Sequence, residues 1–362
     1  MRRFKRSAGA DPTDPIGLLL IGCGYWGRNY VRIFDELPGA NVVAVCDGSI
    51  ERLEAIAIAY PDVTLTASLD EALAIPGIDA AIVCTPAATH HDIALRCLQT
   101  GLHVLLEKPM TTTAEDADEL GELADELGLT LMVGHTFLFN PGVRKVKEYI
   151  DSGSVGDIYY LYAQRTSLGP IRTDVNALWD LAPHDVSIFN FLLDSEPEWV
   201  SAVGSCALRS KRADVGFISL GYGPGLIAHI HVSWTDPNKV REVVLVGSQR
   251  RIVFNDTNPL ERVRVFDKGV AVESANGTTY GEHTLLLRDG DIISPMVESS
   301  EPLKNQCGHY LECIRTGARP LSDSRVGRSV VSVMAAIDRS LESGGAPQPV
   351  QQTSTLAIGG LG

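Results

Sequence analysis

The strongest constraint on the fold is a regular alternation of strand-like and helix-like segments between residues 17 and 134. Five short apolar runs have the length and composition of buried strands. They read GLLLIG, NVVAVCD, AAIVCT, HVLLEKP and LTLMVGH. Segments with apolar residues at helical spacing separate them. Strict alternation of this kind predicts an α/β domain with a parallel sheet that is covered by helices on both faces.

The pattern changes after Asn140-Pro141. One helix-like segment is followed by several β-rich runs separated by short turns, which is typical of a largely antiparallel sheet. A helical stretch from about Leu303 to Ser343 follows them. We therefore predict a second, α+β domain with a large, mostly antiparallel open sheet. The predicted boundaries are a flexible N-terminus at 1–16, the first domain at 17–136, the second at 137–350 and a loose tail at 351–362.

Composition excludes several classes of partner. The 362 residues, 44% of them hydrophobic and 21% charged, suit a globular protein of two domains. A net charge of −14 argues against nucleic acid or an anionic membrane as the partner. The early apolar run is too short for a signal peptide, and no run approaches the roughly 20 apolar residues of a spanning helix. Seven scattered cysteines without a CxxC pair predict neither disulfides nor a metal site, so we expect a soluble, cytoplasmic protein.

A GxGxxG motif lies where the first predicted strand meets a helix. Its glycines are Gly22, Gly24 and Gly27, and Tyr25 and Trp26 lie between the last two. The first glycine permits a tight turn, the second lets the backbone approach a pyrophosphate, and the third allows close helix packing. The helix N-terminus then faces the phosphate charge. These five residues are predicted to bind a dinucleotide cofactor.

The second predicted strand ends in Asp47, 20 residues after Gly27. A carboxylate at this point accepts the ribose hydroxyls of the adenosine and repels a 2′-phosphate, so we predict NAD in preference to NADP. Arg52 lies nearby and would partly offset that repulsion. The alternative interpretation is a glycine-rich turn and a surface aspartate with no ligand.

Two further segments follow predicted strands and are expected at the same edge of the sheet. Thr85, Pro86 and His90 follow the run AAIVC, and Glu107 and Lys108 stand in Glu107-Lys108-Pro109 after the run HVLL. Ligands of open parallel sheets bind beyond the carboxyl ends of the strands, so we assign all five residues to the cofactor site. A lysine ammonium there also polarises a reacting C–O bond.

A second chemical segment reads Trp179-Asp180-Leu181-Ala182-Pro183-His184-Asp185. In a helix, Asp180 and His184 face the same way, although Pro183 must either lie in the first turn or kink the helix. Histidine accepts a proton near neutral pH, and a neighbouring carboxylate orients its ring. A structural histidine in an amphipathic helix is the alternative.

Other polar residues are candidates for substrate binding. They are Arg165, Asn176, His231, Lys239 and Arg241. Cations such as Lys239 would hold a phosphate or carboxylate group, and ion pairs at the rim of a domain are the alternative. Trp179 and Trp234 are expected to pack inside the protein.

The order GxGxxG, strand-end Asp, TPxxxH, EKP and DxxxH resembles the glucose-fructose oxidoreductase / inositol dehydrogenase / MocA family, from Leu18 to about Val350. The resemblance implies a Rossmann domain and an α/β domain whose open sheet forms a homodimer or homotetramer. It implies that Lys108 polarises the substrate oxygen, that His184 is the general acid/base and that Asp180 is its partner. Hydride would pass between the substrate carbon and nicotinamide C4, with no metal.

The chain also departs from that family. Members often have a glycine-rich stretch before the aspartate and a glycine two residues before the histidine, where this chain has Ala182. This difference affects where the helix begins. The segments WDLAPHD, SWTDPNKVREVVLVGS and EPLKNQCGHYLECI are most similar to members associated with nucleotide sugars.

The leading hypothesis is therefore a dehydrogenase or ketoreductase of a sugar, nucleotide sugar or inositol-like ring. A reductase of another carbonyl or imine is an alternative, because a fold does not determine one function. A non-catalytic dinucleotide sensor is a third possibility, and it would not need Lys108 and His184 together.

Overall fold

The computed structural model describes residues 14–169, 171–172, 175–208, 212–272 and 285–352. The predicted flexible N-terminus and loose tail fall mainly outside these residues. The chain divides into two compact units. The first runs to Phe139 and includes Ser300–Ser332, and the second comprises Asn140–Ser299 and Val333–Gln352. These units differ from the predicted boundaries at 137 and 350, because a segment late in the chain belongs to the first unit.

The first unit contains a six-stranded parallel sheet in the order β3-β2-β1-β4-β5-β6. The strands are β1 (Ile16–Ile21), β2 (Ala40–Cys46), β3 (Thr64–Thr66), β4 (Ala80–Val83), β5 (His103–Leu106) and β6 (Leu131–Val133). Strands β1, β4 and β6 are buried along their whole length, as expected for a sheet covered on both faces. The predicted parallel sheet is confirmed. Strand β3 was not predicted, because its three residues are partly exposed and two of them are threonines.

The described residues up to Phe139 form five α-helices. They are α1 (Tyr25–Glu36), α2 (Ile50–Ala59), α3 (Leu69–Leu73), α4 (His90–Gln99) and α5 (Ala114–Leu127). Ser49, Ser68 and Thr113 each accept a hydrogen bond from the backbone N–H three residues later, which satisfies one free donor of the helix. Helices α1 and α4 differ, because no side chain caps them; the N-cap of α1 is Gly24.

The second unit contains a mixed sheet of nine strands. The elements of this unit in chain order are α6 (Pro141–Asp151), β7 (Ile158–Thr166), α7 (Ala177–Leu193), β8 (Trp199–Ser205), β9 (Val215–Tyr222), β10 (Leu226–Ser233), β11 (Val240–Gly247), β12 (Arg251–Asn255), β13 (Val263–Phe266), β14 (Gly269–Val272), β15 (Leu285–Arg288), β16 (Ile292–Ile293) and, late in the chain, β17 (Gln348–Pro349). Strands β14 and β15 pair with each other in a separate two-stranded sheet. The other nine strands form the mixed sheet. The order is β16-β13-β12-β11-β7-β10-β9-β8-β17. Only the β7–β10 pair is parallel among the described pairs of this sheet, which confirms the mostly antiparallel prediction.

The two faces of the second sheet have different surroundings. Helix α7 lies against one face, where Arg165 of β7 forms a bidentate ion pair with Asp185 at 2.7 and 2.9 Å. Both side chains are almost fully buried. Tyr160, Phe217 and Ile227 lie on the opposite face and are 43–48% exposed. The second sheet is therefore open on one side.

The last two helices are α8 (Pro302–Thr316) and α9 (Ser324–Glu342). Between them, Ser322 pairs with Val133 of β6. The Val133 N–H donates to the Ser322 carbonyl, and the Ser322 hydroxyl donates to the Val133 carbonyl, both at 2.7 Å. This segment therefore satisfies an edge strand that would otherwise expose unpaired backbone groups. None of the described helices has the length and apolar content needed to cross a membrane.

Replacing one partner of the buried ion pair should be strongly destabilising. Arg165→Met leaves the Asp185 carboxylate buried without its cation, and we expect a loss of about 3–5 kcal/mol of unfolding free energy in urea titrations. The matched control is Lys145→Met, which removes the exposed Lys145–Glu148 pair of the same unit and should cost less than about 1 kcal/mol. Equal losses in the two variants would contradict the assignment.

Candidate active site

The glycine loop lies between β1 and α1, and glycine suits each of its three positions for a different physical reason. Gly22 has φ +90°, a region unfavourable for residues with a side chain. A Cβ on Gly27 would lie 2.0 Å from the Gly22 carbonyl oxygen, so only glycine allows the helix to approach the strand. A Cβ on Gly24 would meet nothing within 4 Å. Space thus remains above Gly24, beside an uncapped helix N-terminus that suits a pyrophosphate.

Asp47 follows β2 and is almost fully buried. Its carboxylate accepts hydrogen bonds from the Cys23 N–H at 2.7 Å and the Ser49 N–H at 2.8 Å, and Arg52 lies 3.5 Å away. Burial opposes ionisation most strongly, but these two amides and Arg52 together outweigh it and lower the pKa of Asp47. The residue is therefore anionic at neutral pH, and it also holds the glycine loop.

Tyr25 and Trp26 begin α1 and are both exposed, with their rings 5.5 Å apart. Thr85 and Pro86 follow β4, and Thr85 is half-buried. His90 is buried beneath this loop. Its Nδ1 lies 2.8 Å from the Pro109 carbonyl oxygen and its Nε2 lies 2.8 Å from the Thr85 carbonyl oxygen. Both ring nitrogens of His90 thus contact the backbone of the unit itself.

Glu107 is also occupied within the first unit. Its Oε1 accepts a hydrogen bond from the Tyr30 hydroxyl at 2.7 Å, and its Oε2 accepts one from the Lys108 N–H at 3.0 Å. The side chain is 7% exposed. We therefore interpret Glu107 as a residue that shapes the loop after β5, and its contact with the cofactor stays a prediction.

Lys108 is half-buried, and its peptide bond to Pro109 is cis. A histidine that the sequence analysis did not select, His135, lies in the same unit just after β6. Its ring is buried, and neither nitrogen has a hydrogen-bond partner among the described residues. Burial and, secondarily, the Lys108 ammonium lower the pKa of His135 to about 3, so its ring is neutral near Lys108.

Helix α7 carries the DxxxH segment. Asn176 caps the helix by accepting a hydrogen bond from the Trp179 N–H at 2.9 Å, so the helix begins there without the glycines that the family often has. Pro183 lies inside the helix rather than in its first turn. Asp180 and His184 are one turn apart on its surface, and His184 is half-buried.

The carboxylate of Asp180 has two further partners in the second unit. Arg172 Nη1 lies 3.2 Å from Oδ1, and the Trp234 indole N–H donates to Oδ2 at 3.3 Å. Trp234 is buried, as expected for a packing residue, while its polar edge orients the carboxylate. Arg172 was not selected from the sequence, because no strand or helix pattern marks its position.

The remaining candidates for substrate binding do not all lie beside His184. Arg165 lies behind α7 in the ion pair with Asp185. His231 alternates along β10 with buried Ile230 and Val232, so it lies on the face opposite α7. There it stacks on Phe217 with ring centroids 4.4 Å apart.

Lys239 is exposed just before β11. Arg241 lies 3.5 Å from Asp256 and forms an ion pair with it. Since His231 faces away from α7, we do not include it in the proposed site.

Two family models match the chain. Residues 16–135 match the oxidoreductase family with an NAD-binding Rossmann fold, and residues 143–253 match the GFO/IDH/MocA C-terminal domain. The family model that matches the first unit describes an NAD-binding domain, in agreement with the glycine loop and Asp47. The cofactor is NAD. This finding confirms both the resemblance and the predicted cofactor.

Several characterised proteins are similar over most of the chain. UDP-N-acetylglucosamine 3-dehydrogenase of Acidithiobacillus ferrooxidans is 29% identical over 73% of this chain and 76% of its own. An NAD⁺-dependent scyllo-inositol 2-dehydrogenase of Bacillus subtilis is 26% identical over 94% of this chain and 98% of its own. The crystal structure of the WlbA dehydrogenase from Bordetella pertussis with NADH and UDP-GlcNAcA matches this structure with a TM-score of 0.76 at 23% identity. The match covers 94% of this chain and 100% of that chain.

These matches cover both units and agree with the fold. The protein is an NAD-dependent oxidoreductase that acts on CH–OH groups. From the two family models and the order of its motifs, the chain belongs to the GFO/IDH/MocA family of oxidoreductases.

Proposed function

We propose that this protein oxidises a ring secondary alcohol of a nucleotide sugar, or reduces the corresponding ketone, with Lys108, Asp180 and His184 as the reacting side chains. The observation that carries the proposal is the position of Lys108. It follows β5 at the same edge of the sheet as the open glycine loop after β1 and Asp47 after β2. A cation at this edge lies where ligands of open parallel sheets bind.

The residues of the first unit fit NAD. Gly24 leaves space at the helix N-terminus for the pyrophosphate, and the anionic Asp47 suits the ribose hydroxyls. We assign Tyr25, Trp26, Thr85 and Pro86 to the walls of this site, because they belong to the loops after β1 and β4. When bound, NAD supplies the carbon that accepts or donates hydride.

The side chains of this chain handle the oxygen and its proton. In the proposed oxidation, the Lys108 ammonium stabilises developing negative charge on the substrate oxygen. His184 Nε2 or Nδ1 takes the hydroxyl proton, and Asp180 stabilises the charged ring that results. In the reverse direction, His184 returns the proton to the oxygen. Arg172 and Trp234 keep the Asp180 carboxylate in one orientation.

Two relatives support the substrate class. The Acidithiobacillus relative is named for UDP-N-acetylglucosamine, and the Bordetella structure contains UDP-GlcNAcA. The Bacillus relative acts on scyllo-inositol, so an inositol ring is the second candidate. An acidic substrate would suit the cations Arg172 and Lys239, of which Lys239 is exposed.

We further propose that the open face of the second sheet forms a homodimer or homotetramer. This face carries several exposed apolar side chains on neighbouring strands: Tyr160, Val203, Phe217 and Ile227, each 43–50% exposed. Exposed apolar side chains gathered on one face of a sheet are typical of association surfaces.

All seven cysteines are free thiols, which is consistent with the reducing cytoplasm.

The proposed chemistry is tested by a substrate panel and two variants. Nicotinamide absorbance is followed with UDP-N-acetylglucosamine, UDP-GlcNAcA and scyllo-inositol, and we expect turnover with a UDP-sugar. Lys108→Met and His184→Ala should each lower kcat by about 100- to 10,000-fold, because an acid/base or polarising group is lost. Their Kd for NADH should stay nearly unchanged. Full activity in both variants would show that the assigned chemistry is wrong.

The carboxylate of Asp47 should determine the choice between NADH and NADPH. The unaltered protein should bind NADH more tightly than NADPH. Asp47→Asn should weaken NADH binding by about 1.5–3 kcal/mol, or roughly 10- to 100-fold in Kd, because the charged acceptor is lost. The difference between the Kd values for NADH and NADPH should therefore become smaller. Fluorescence titration measures both constants. The control is Asp62→Asn, at an exposed position of the same unit, which should change neither.

A third measurement tests the proposed interface. Phe217→Glu places a charge on the exposed apolar face and should convert the oligomer to monomers in sedimentation velocity. Leu260→Glu is the matched control, since Leu260 is 90% exposed outside the sheet. A variant at Phe217 that sediments like the unaltered protein would rule out this face.

A further inference from the structure

A chain of hydrogen bonds leads through the interior of the first unit to the backbone of Lys108. The Thr136 hydroxyl donates to Gln306 Oε1 at 2.8 Å, and Gln306 Nε2 donates to the Tyr30 hydroxyl oxygen at 2.8 Å. The Tyr30 hydroxyl then donates to Glu107, whose other oxygen accepts the Lys108 N–H. Side chains from distant parts of the chain are therefore linked, through Tyr30, to the one carboxylate that binds the Lys108 N–H.

These groups are buried and their geometry leaves little freedom. Tyr30 and Gln306 are both fully buried, and Glu107 is 7% exposed. A Cβ on Gly134 would lie 3.1 Å from Glu107 Oε1, so the glycine keeps space for the carboxylate. Buried carboxylates without donors are strongly unfavourable, and the two hydrogen bonds hold this one in place.

The other side of Lys108 is held by His90. Its ring lies between the carbonyl oxygens of Pro109 and Thr85, each at 2.8 Å. Burial is the main influence on the pKa of His90 and lowers it, and the two carbonyl contacts oppose that effect. The ring thus joins the loop after β5 to the loop after β4.

We propose that Tyr30, Gln306 and His90 are positioning residues that fix the backbone on both sides of Lys108. Tyr30 and Gln306 act through the Glu107 carboxylate before the lysine, and His90 acts through the Pro109 carbonyl after it. The reason to hold this turn rests on the proposed function, in which Lys108 polarises the substrate oxygen. A misplacement of about 1 Å in such a group lowers turnover by about 100-fold.

The experiment observes Lys108 directly and needs no substrate. The chain has eight lysines. Reductive ¹³C-methylation of the full chain gives resolved lysine methyl signals in a ¹H–¹³C spectrum, and Lys108→Met identifies the signal of Lys108. We expect Tyr30→Phe to shift or broaden that signal while the other seven keep their positions. Gln306→Leu is the second variant and should give the same result if Tyr30→Phe does not fold.

The matched control is Tyr310→Phe. Tyr310 is equally buried in the same unit, but its hydroxyl has no hydrogen-bond partner among the described residues. Both variants remove one buried hydroxyl, so a purely structural effect would appear in Tm alone. The proposal is overturned if Tyr30→Phe lowers Tm and leaves the Lys108 signal unmoved, or if Tyr310→Phe moves it equally.

His90 has its own pair of variants. His90→Ala should move the Lys108 signal, whereas His91→Ala should not, because the neighbouring His91 forms its ion pairs with Asp92 and Glu119 on the helix surface. An unmoved signal in His90→Ala would remove His90 from the proposal. Turnover in the substrate panel is measured separately from the Lys108 signal. A shifted signal without turnover of any compound supports the positioning role and counts against the proposed function.

Discussion

The arrangement of the first unit depends on one constraint, which is that all of its strands run in the same direction. Every loop that follows a strand is thereby placed at a single edge of the sheet. The glycine loop, Asp47, the Thr85 loop and Lys108 all follow strands and share that edge, although they come from positions up to 86 residues apart. The cofactor and the proposed reacting cation therefore belong to one surface before any fine detail is considered.

The polar residues at this edge have two different tasks. Gly24 and the N-terminus of α1 remain open toward a ligand. Glu107 and His90 are buried and bind the backbone of their own unit. Asp47 combines the two roles. It accepts a hydrogen bond from the Cys23 N–H within its own unit, and its carboxylate keeps the charge that suits a ligand. Motif residues near a cofactor site can thus also shape the loops that form it.

The second unit separates its functions by the two faces of one sheet. The face against α7 contains the buried Arg165–Asp185 pair, immediately beside His184 in sequence. A buried ion pair requires both partners and their geometry, so it fixes the helix on the strand. The opposite face carries exposed aromatic and aliphatic side chains and the stacked His231. The alternation of side chains along β10 decides which residues belong to which face.

Much of the fold follows from local patterns in the sequence. Apolar runs indicate the strands of the first sheet apart from β3, helical spacing indicates the helices between them, and the glycine motif indicates the NAD site. These features are readable because each depends on residues a few positions apart. The order of the motifs likewise identifies the family. The assignment of Lys108, Asp180 and His184 stays a prediction that the proposed experiments address.

Other features were decided only by the tertiary structure. The partners of Glu107 are Tyr30, 77 residues earlier, and through it Gln306, and no local pattern links these positions. The return of Ser322 to the edge of β6 and the face of His231 also depend on pairing between distant segments. Local spacing determines which element a residue joins, whereas its contacts depend on how the buried polar groups of distant elements satisfy one another.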